Sequence, residues 1–286
     1  MRQKKRRNGQ FAVAISQFKR NKLAMIGLTI LIVIALACIF QGVISPYDYA
    51  EQNITERFAP VSLEHLCGTD QYGRDIFTRI LKGGQISLIV AISAVCFAGV
   101  VGATLGATAA FFGGAYETVV MRIIDILQSI PGLLLAAGIS TALGSGLYNS
   151  VIAIGLAQVA NLTRIMYLSS LSIKGQEYLE AANSYGASKM RMIFKYVIPN
   201  CLAPLIVQMT LRLGICISQI ASLSFFGLGV QPPTPEWGSL LSAGKQFIRQ
   251  YWPIVTFPGI AISLTMISVN FIGDGVRDAL DPRMKR

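Results

Sequence analysis

The chain has 286 residues, of which 53% are hydrophobic and only 14% charged, with a mean hydropathy of +0.54 and a net charge of +11. A soluble domain carries nearer a quarter charged residues, so this composition describes an all-α, polytopic membrane protein. Its basic residues gather at the ends of apolar runs, where topology selection places them, and that excludes nucleic acid as the partner they serve.

The five cysteines (Cys38, Cys67, Cys96, Cys201 and Cys216) are scattered and form no CxxC pair, so neither a zinc site nor a disulfide framework is expected. A single histidine, His65, argues against His-based catalysis or metal binding.

Residues 1–22 hold eight basic residues and no acid, a cytoplasmic anchor ahead of a membrane span. Residues 23–44 form the first span, at ~1.5 Å per residue long enough to cross a bilayer. The apolar run exceeds a signal-peptide core, so it is read as a retained helix. Residues 45–85 are a polar excursion containing His65-Leu66-Cys67-Gly68-Thr69-Asp70-Gln71-Tyr72-Gly73-Arg74-Asp75. Asp70 and Arg74, spaced i,i+4, are expected to pair on a short helix, with Gly68 and Gly73 supplying turns. Asp70 and Asp75 form an acid/base couple only on paper, because no nucleophile or metal ligand accompanies them.

The second span covers Ile86 to Phe112, with Gly102 and Gly106 as a GxxxG pair for close helix packing. The third runs from Glu117 to about Leu143. In it Arg122 and Asp125 are expected to neutralise each other, and Pro131 to bend or break the helix. Ser150 to Leu171 is the fourth. Pro199 to Gly229 is the fifth, with Arg212 near its middle, where an unpaired charge wants water or a polar partner. A Gly/Pro-rich turn, residues 227–238, precedes Gly238 to Gln246, whose glycine spacing is wrong for a phosphate-binding loop. Pro253 to Ile272 is the sixth span, and residues 274–286 form a tail.

With the N-terminus in the cytoplasm, inside segments collect eight basic residues in 1–22, Arg122, five from Arg164 to Lys195 and four in the tail, eighteen in all. Outside segments hold six: Arg57, Arg74, Arg79, Lys82, Lys245 and Arg249. That asymmetry places both termini and the polar stretch Glu177–Asn200 in the cytoplasm, and the Asp/Gly-rich loop outside. The stretch Glu177–Asn200 combines charges that must stand in water with small residues that another protein can approach closely; by itself it fits a plain connector equally well.

In that position Glu180-Ala181-Ala182, Gly186 and Pro199 resemble the coupling motif of the membrane subunits of bacterial ABC importers, with Tyr196 and Ile198 departing from the usual Ile and Leu. Residues 18–32, 65–81, 121–136, 224–241 and 271–285 extend the resemblance to the second permease subunit of dipeptide, oligopeptide and nickel importers. Cys67 and Arg212 are departures from it. The resemblance implies a type I importer permease of six transmembrane helices in a bacterial inner membrane, with a five-helix core over residues 86–273 and a coupling loop over 172–198.

It further implies that Glu180, Ala181, Ala182 and Gly186 dock on one of two ATP-binding partners. The chain itself would have no enzymatic activity and no cofactor, ATP and magnesium being bound by those partners. A homologous permease subunit and an extracytoplasmic substrate-binding protein complete the expected assembly, set in membrane lipid. The motif Gly68, Thr69, Asp70, Gly73, Arg74 and Asp75 would belong to the outer loop. Gln208, Arg212, Gln219 and Asn270 are candidate pathway residues, each equally able to serve as a helix–helix hydrogen bond. The expected cargo is a short peptide, with a nickel or metal chelate as the nearest alternative. An ion-driven secondary transporter is the distant one, since no acid is expected at mid-membrane depth.

Overall fold

The computed structural model describes residues 15–280, so the basic residues before 15 and the tail after 280 lie outside the described residues. Among the described residues, five helices are long and apolar enough to cross a membrane: α1 (Lys22–Ile39), α2 (Ile76–Phe112), α5 (Leu147–Ile173), α7 (Leu202–Phe225) and α9 (Pro253–Leu280). Between α2 and α5 lie α3 (Gly114–Ser129) and α4 (Gly132–Leu143), bent by 97° to one another. Two of the shorter helices are α6 (Glu177–Ser184) and α8 (Trp237–Gly244).

The helix boundaries follow from local chemistry. Asn21 caps α1, its Oδ1 accepting from Ala24 N at 3.1 Å. Asp75 caps α2, accepting from Thr78 N at 2.7 Å. That cap starts the helix at Ile76, ahead of the Ile86 expected from hydropathy. The 37-residue helix is therefore about 55 Å long, more than the hydrocarbon of a bilayer, and its first turns stand outside the apolar layer. Of the bend or break expected at Pro131, the structure shows a complete break. Proline disfavours the helical region for the residue before it, and Ile130 is extended at φ −96°, ψ 129°.

Contacts at the helix ends sort the connections into two groups. At one end the loop of residues 45–75 meets the turn before α9, Gly146 N donates to Gly229 O at 3.0 Å, and Trp237 Nε1 donates to Ile80 O at 2.9 Å. At the other, Lys174 Nζ donates to Ala110 O at 2.8 Å, and Asn21 Nδ2 donates to Asp278 Oδ2 at 3.2 Å. The broken pair α3–α4 starts beside the second group and finishes beside the first. It therefore traverses the bundle as one interrupted span, bringing the number of crossings to six.

The core is built by close approach more than by large side chains. Where Gly102 and Gly106 face α5, an added Cβ would lie 2.9 Å from Leu162 Cβ and 2.4 Å from Thr163 O. The expected GxxxG pair is thus the α2–α5 seam. In the same way α1 packs on α9 through Gly27, whose added Cβ would meet Ser268 O at 2.6 Å. Val90, Ala94, Ile154, Ile217, Ile220 and Trp237 then fill the centre between α2, α5, α7 and α8.

Two ionic expectations change. Asp125 pairs with Arg164 of α5, not with Arg122. The break after Ser129 frees α3 to lie along α5, and the cross-helix partner replaces the one on its own helix. The same seam is closed by Tyr167 donating to Glu117 and by Gln128 Nε2 donating to Ala160 O at 3.1 Å. Asp70 and Arg74 do pair, through Arg74 Nε at 2.7 Å, but in a turn closed by the Thr69–Asp75 bridge and not on a helix.

Candidate functional site

Glu177 and Glu180 fall in the first turn of α6, where carboxylates oppose the helix dipole. The helix ends by geometry that only glycine accommodates easily. Gly186 N donates to Asn183 O at 2.9 Å and Ala187 N to Ala182 O at 3.1 Å, a Schellman closure with Gly186 at φ +76°. No neighbour lies within 4 Å of a Cβ added there. Gly186 is present for its backbone conformation, a reason beyond the close approach expected from the sequence.

Leu179 and Ala182 are buried, and Leu179 packs α6 onto the turn of residues 189–201 and the end of α2. Glu180, Ala181, Tyr185 and Gly186 face outward, and Tyr185 is 92% exposed. The motif thus divides into an anchoring face and a presented face. Ser188 starts the next turn by accepting from Arg191 N at 3.4 Å. A π-helical turn, Ile193–Val197, then leads toward α7, such turns being common where helices serve function.

The motif of the loop of residues 45–75 is a dense polar lock. Asp75 accepts from Thr78 N and Oγ1 at 2.7 and 2.6 Å and lies 3.0 Å from His65 Nδ1. Asp70 accepts from the backbone of Tyr72 and Arg74 at 2.8 and 3.1 Å, and Arg74 stacks over the Tyr72 ring at 4.6 Å. With these partners neither carboxylate is free for acid/base chemistry. Thr69 is fully buried, donating to Glu56 O and accepting from Ala59 N at 2.8 Å. Gly68 and Gly73 both have positive φ, and a Cβ at Gly73 would lie 1.7 Å from Asn53 O. Cys67 packs between Ile76 and Ile254, where burial and the nearby Asp75 push its thiol up to about 12. Its departure from the family pattern is a conservative filling of an apolar gap.

Glu236 is a residue the sequence reading missed. It is fully buried at the start of α8, accepting from Ser87 Oγ at 2.7 Å and from Gly238 N and Ser239 N at 2.8 and 3.2 Å. Ser239 Oγ accepts from Glu236 N at 3.0 Å, completing a capping box. Burial pushes the Glu236 carboxyl up, while these donors and the Ser224 hydroxyl oppose that shift. The signal was present as Glu236-Trp237-Gly238-Ser239, a cap residue followed three positions later by a side chain able to bond back.

The structure brings together two of the four candidate pathway residues, Arg212 and Gln219, through Gln158. Asn270 lies against Gly214, its Oδ1 2.9 Å from an added Cβ there. Gln219 is buried and accepts from Gln158 Nε2 at 2.9 Å, a bond between α7 and α5. Arg212 reaches the same Gln158, Nη1 to Oε1 at 3.4 Å. Gln208 and Arg277 border an open groove of about 550 Å³, walled by Ile165, Leu168, Pro204 and Val207. An arginine at mid-helix costs at least ~2.5–3.5 kcal/mol in a membrane unless solvated or paired; Arg212 is only part-buried and lies one turn from Gln208 at the edge of that groove.

A broken-span bundle with a water-facing helix carried on the ends of α5 and α7 defines the class as a multi-pass membrane transport subunit. The chain belongs to the family of binding-protein-dependent transport system inner membrane components, which matches residues 102–286, while residues 9–60 match the N-terminal transmembrane domain of oligopeptide transport permease C. The dipeptide transport system permease DppC of Alkalihalophilus pseudofirmus is 44% identical over 272 residues, 95% of this chain and 90% of that one. The oligopeptide transport permease OppC of Bacillus subtilis is 38% identical over 273 residues, covering 96% and 90%. Among solved structures, the inward-facing MetNI methionine ABC transporter superposes with a TM-score of 0.56 at 19% identity, covering 70% of this chain and 96% of the matched one. That last likeness concerns the fold, and it is the importer-permease fold expected from the sequence.

Proposed function

We propose that this permease subunit forms one half of the translocation route of an ATP-driven importer for short peptides. The single observation that carries the coupling part is the division of α6. Leu179 packs it onto the bundle and Ala182 is buried beside it, while Glu180, Ala181 and the Gly186 turn stand free to be gripped. A helix so held moves with its bundle and can transmit a partner's closure on ATP. Swinging a two-state bundle from 1:99 to 99:1 takes about 5.5 kcal/mol of differential binding, within reach of nucleotide binding by two partner subunits. In this reading α6 and both termini face the cytoplasm. The loop of residues 45–75 and the Gly/Pro-rich turn face a substrate-binding protein, and a second homologous permease closes the route.

Peptide cargo is supported by the names of the relatives, which are dipeptide and oligopeptide permeases. A nickel-type cargo finds no such support, and the described residues contain no cluster of three metal-ligating side chains. The test is uptake by the complex reconstituted in vesicles with its ATPases, companion permease and binding protein. Labelled di- to pentapeptides should accumulate and stimulate ATP hydrolysis; accumulation of nickel chelates in their place would overturn the cargo assignment.

A further inference from the structure

Arg212 stands on α7 ten residues from its start and thirteen from its end, at mid-depth of the span. No carboxylate pairs with it among the described residues. The acids of the other spans are elsewhere or already engaged. Glu117 accepts from Tyr167, Asp125 holds Arg164, Asp278 accepts from Asn21, and Asp274 is exposed near the end of α9. Helices α1, α2, α5 and α7 contain no acid at all.

What the chain does supply is a positioning device. Gln219 fixes the amide of Gln158 by accepting from its Nε2, and Gln158 Oε1 accepts from Arg212 Nη1 at 3.4 Å. One edge of the guanidinium is thereby oriented, and its Nε and Nη2 make no hydrogen bond within the described chain. Those two donors form the planar fork that matches a carboxylate. At 3.6 residues per turn Gln208, Arg212 and Gln219 fall within about 40° on one face of α7. That face runs from the open groove at Gln208 to the Gln158–Gln219 bond.

Resting on the importer reading above, the geometry points to Arg212 as a cargo-contacting residue that receives the free carboxylate of the peptide as it passes mid-membrane, with Gln158 and Gln219 as its positioning residues. A peptide's carboxylate loses its water on entering an apolar route, and a held guanidinium replaces that water with two charge-assisted hydrogen bonds. The single cation in an acid-free stretch selects for this end of the cargo and not for its ammonium. A fixed acid from the companion permease is the competing occupant, and it would leave cargo preference indifferent to Arg212.

The test compares ATP-dependent uptake of one peptide as its free acid and as its C-terminal amide by the full reconstituted complex. Wild type, Arg212→Gln and Arg212→Lys are measured side by side. The same binding protein serves every arm, so its preference cancels when acid-to-amide ratios are compared between variants. Arg212→Gln is expected to lower the acid-to-amide ratio at least tenfold, and Arg212→Lys, which keeps charge but loses the fork, severalfold. An unchanged ratio in the variants, whether uptake of both peptides is normal or equally reduced, overturns the proposal and reveals a structural or partner-paired arginine. Should Arg212→Gln not assemble, the lysine variant decides by the same ratio. Wild-type complex that takes up neither peptide in an ATP-dependent way overturns the importer reading itself.

Discussion

Cys67 and Glu236 show how much of this molecule depends on single buried groups at its loop end. The Cys67 thiol is pushed from 9.0 to about 12 by burial first and by Asp75 second. Only the thiolate reacts, so Cys67 should resist maleimide at pH 8 in the folded subunit and label at once after unfolding. Rapid labelling of Cys67 itself in the native protein would contradict the packing described. The linkage has a definite sign. The folded state holds the proton more tightly, so this contribution is intact below pH 9 and is lost as pH rises toward 12. Removing Glu236 has the opposite character, since it orphans donors. Glu236→Ala leaves Ser87 Oγ and two backbone N–H groups without their acceptor, at a cost of about 1–3 kcal/mol. A lowered unfolding temperature in detergent measures it, with Glu236→Gln affected less. Glu236 was hard to read from sequence because a lone Glu in a Pro-rich turn looks solvent-facing. Its burial depends on Ser87, 149 positions earlier, and no local pattern reports that contact.

At the scale of elements, hydropathy marked every long apolar helix but not where the helices start or how they pair. The beginning of α2 was hidden because Ile76–Gln85 carries Arg79 and Lys82, polar enough to look like loop. What makes it helix is the Asp75 cap together with burial of Arg79, whose Nη1 donates to Tyr49 O at 2.7 Å. The ion pair of α3 was misassigned for a related reason. Spacing along one helix shows which charges can meet, and only packing shows which do. Asp125 and Arg164 are 46% and 40% exposed, so in isolation their pair contributes little, about 0–1 kcal/mol. For α6, the glycine of the family motif was legible, whereas its reason was not. At φ +76° alanine is strained but meets no neighbour. Gly186→Ala should therefore cost about 1 kcal/mol through backbone strain alone. In the complex that loss should appear as weaker coupling, with basal ATP hydrolysis retained and peptide-stimulated hydrolysis reduced. Equal stimulation by mutant and wild type would show that the Schellman turn has no part in docking.

The whole molecule joins three features: a bundle crossed six times, a broken third span sealed to α5, and a short helix anchored through the buried Leu179. The bundle is built on glycine seams that bring backbones together, and a structure packed this tightly moves in rigid pieces more readily than it deforms. Force applied at α6 is accordingly expected to reach α7 through the π-helical turn and α5 through its direct chain connection. The direct measurement is ATP-driven peptide uptake by vesicles containing the complete complex with Ala181→Trp, a bulky change on the presented face of α6 that leaves its anchoring face intact. The account predicts that the subunit remains folded while uptake falls at least tenfold and the ATPases dissociate or hydrolyse ATP without transport. Wild-type uptake by that variant would contradict it.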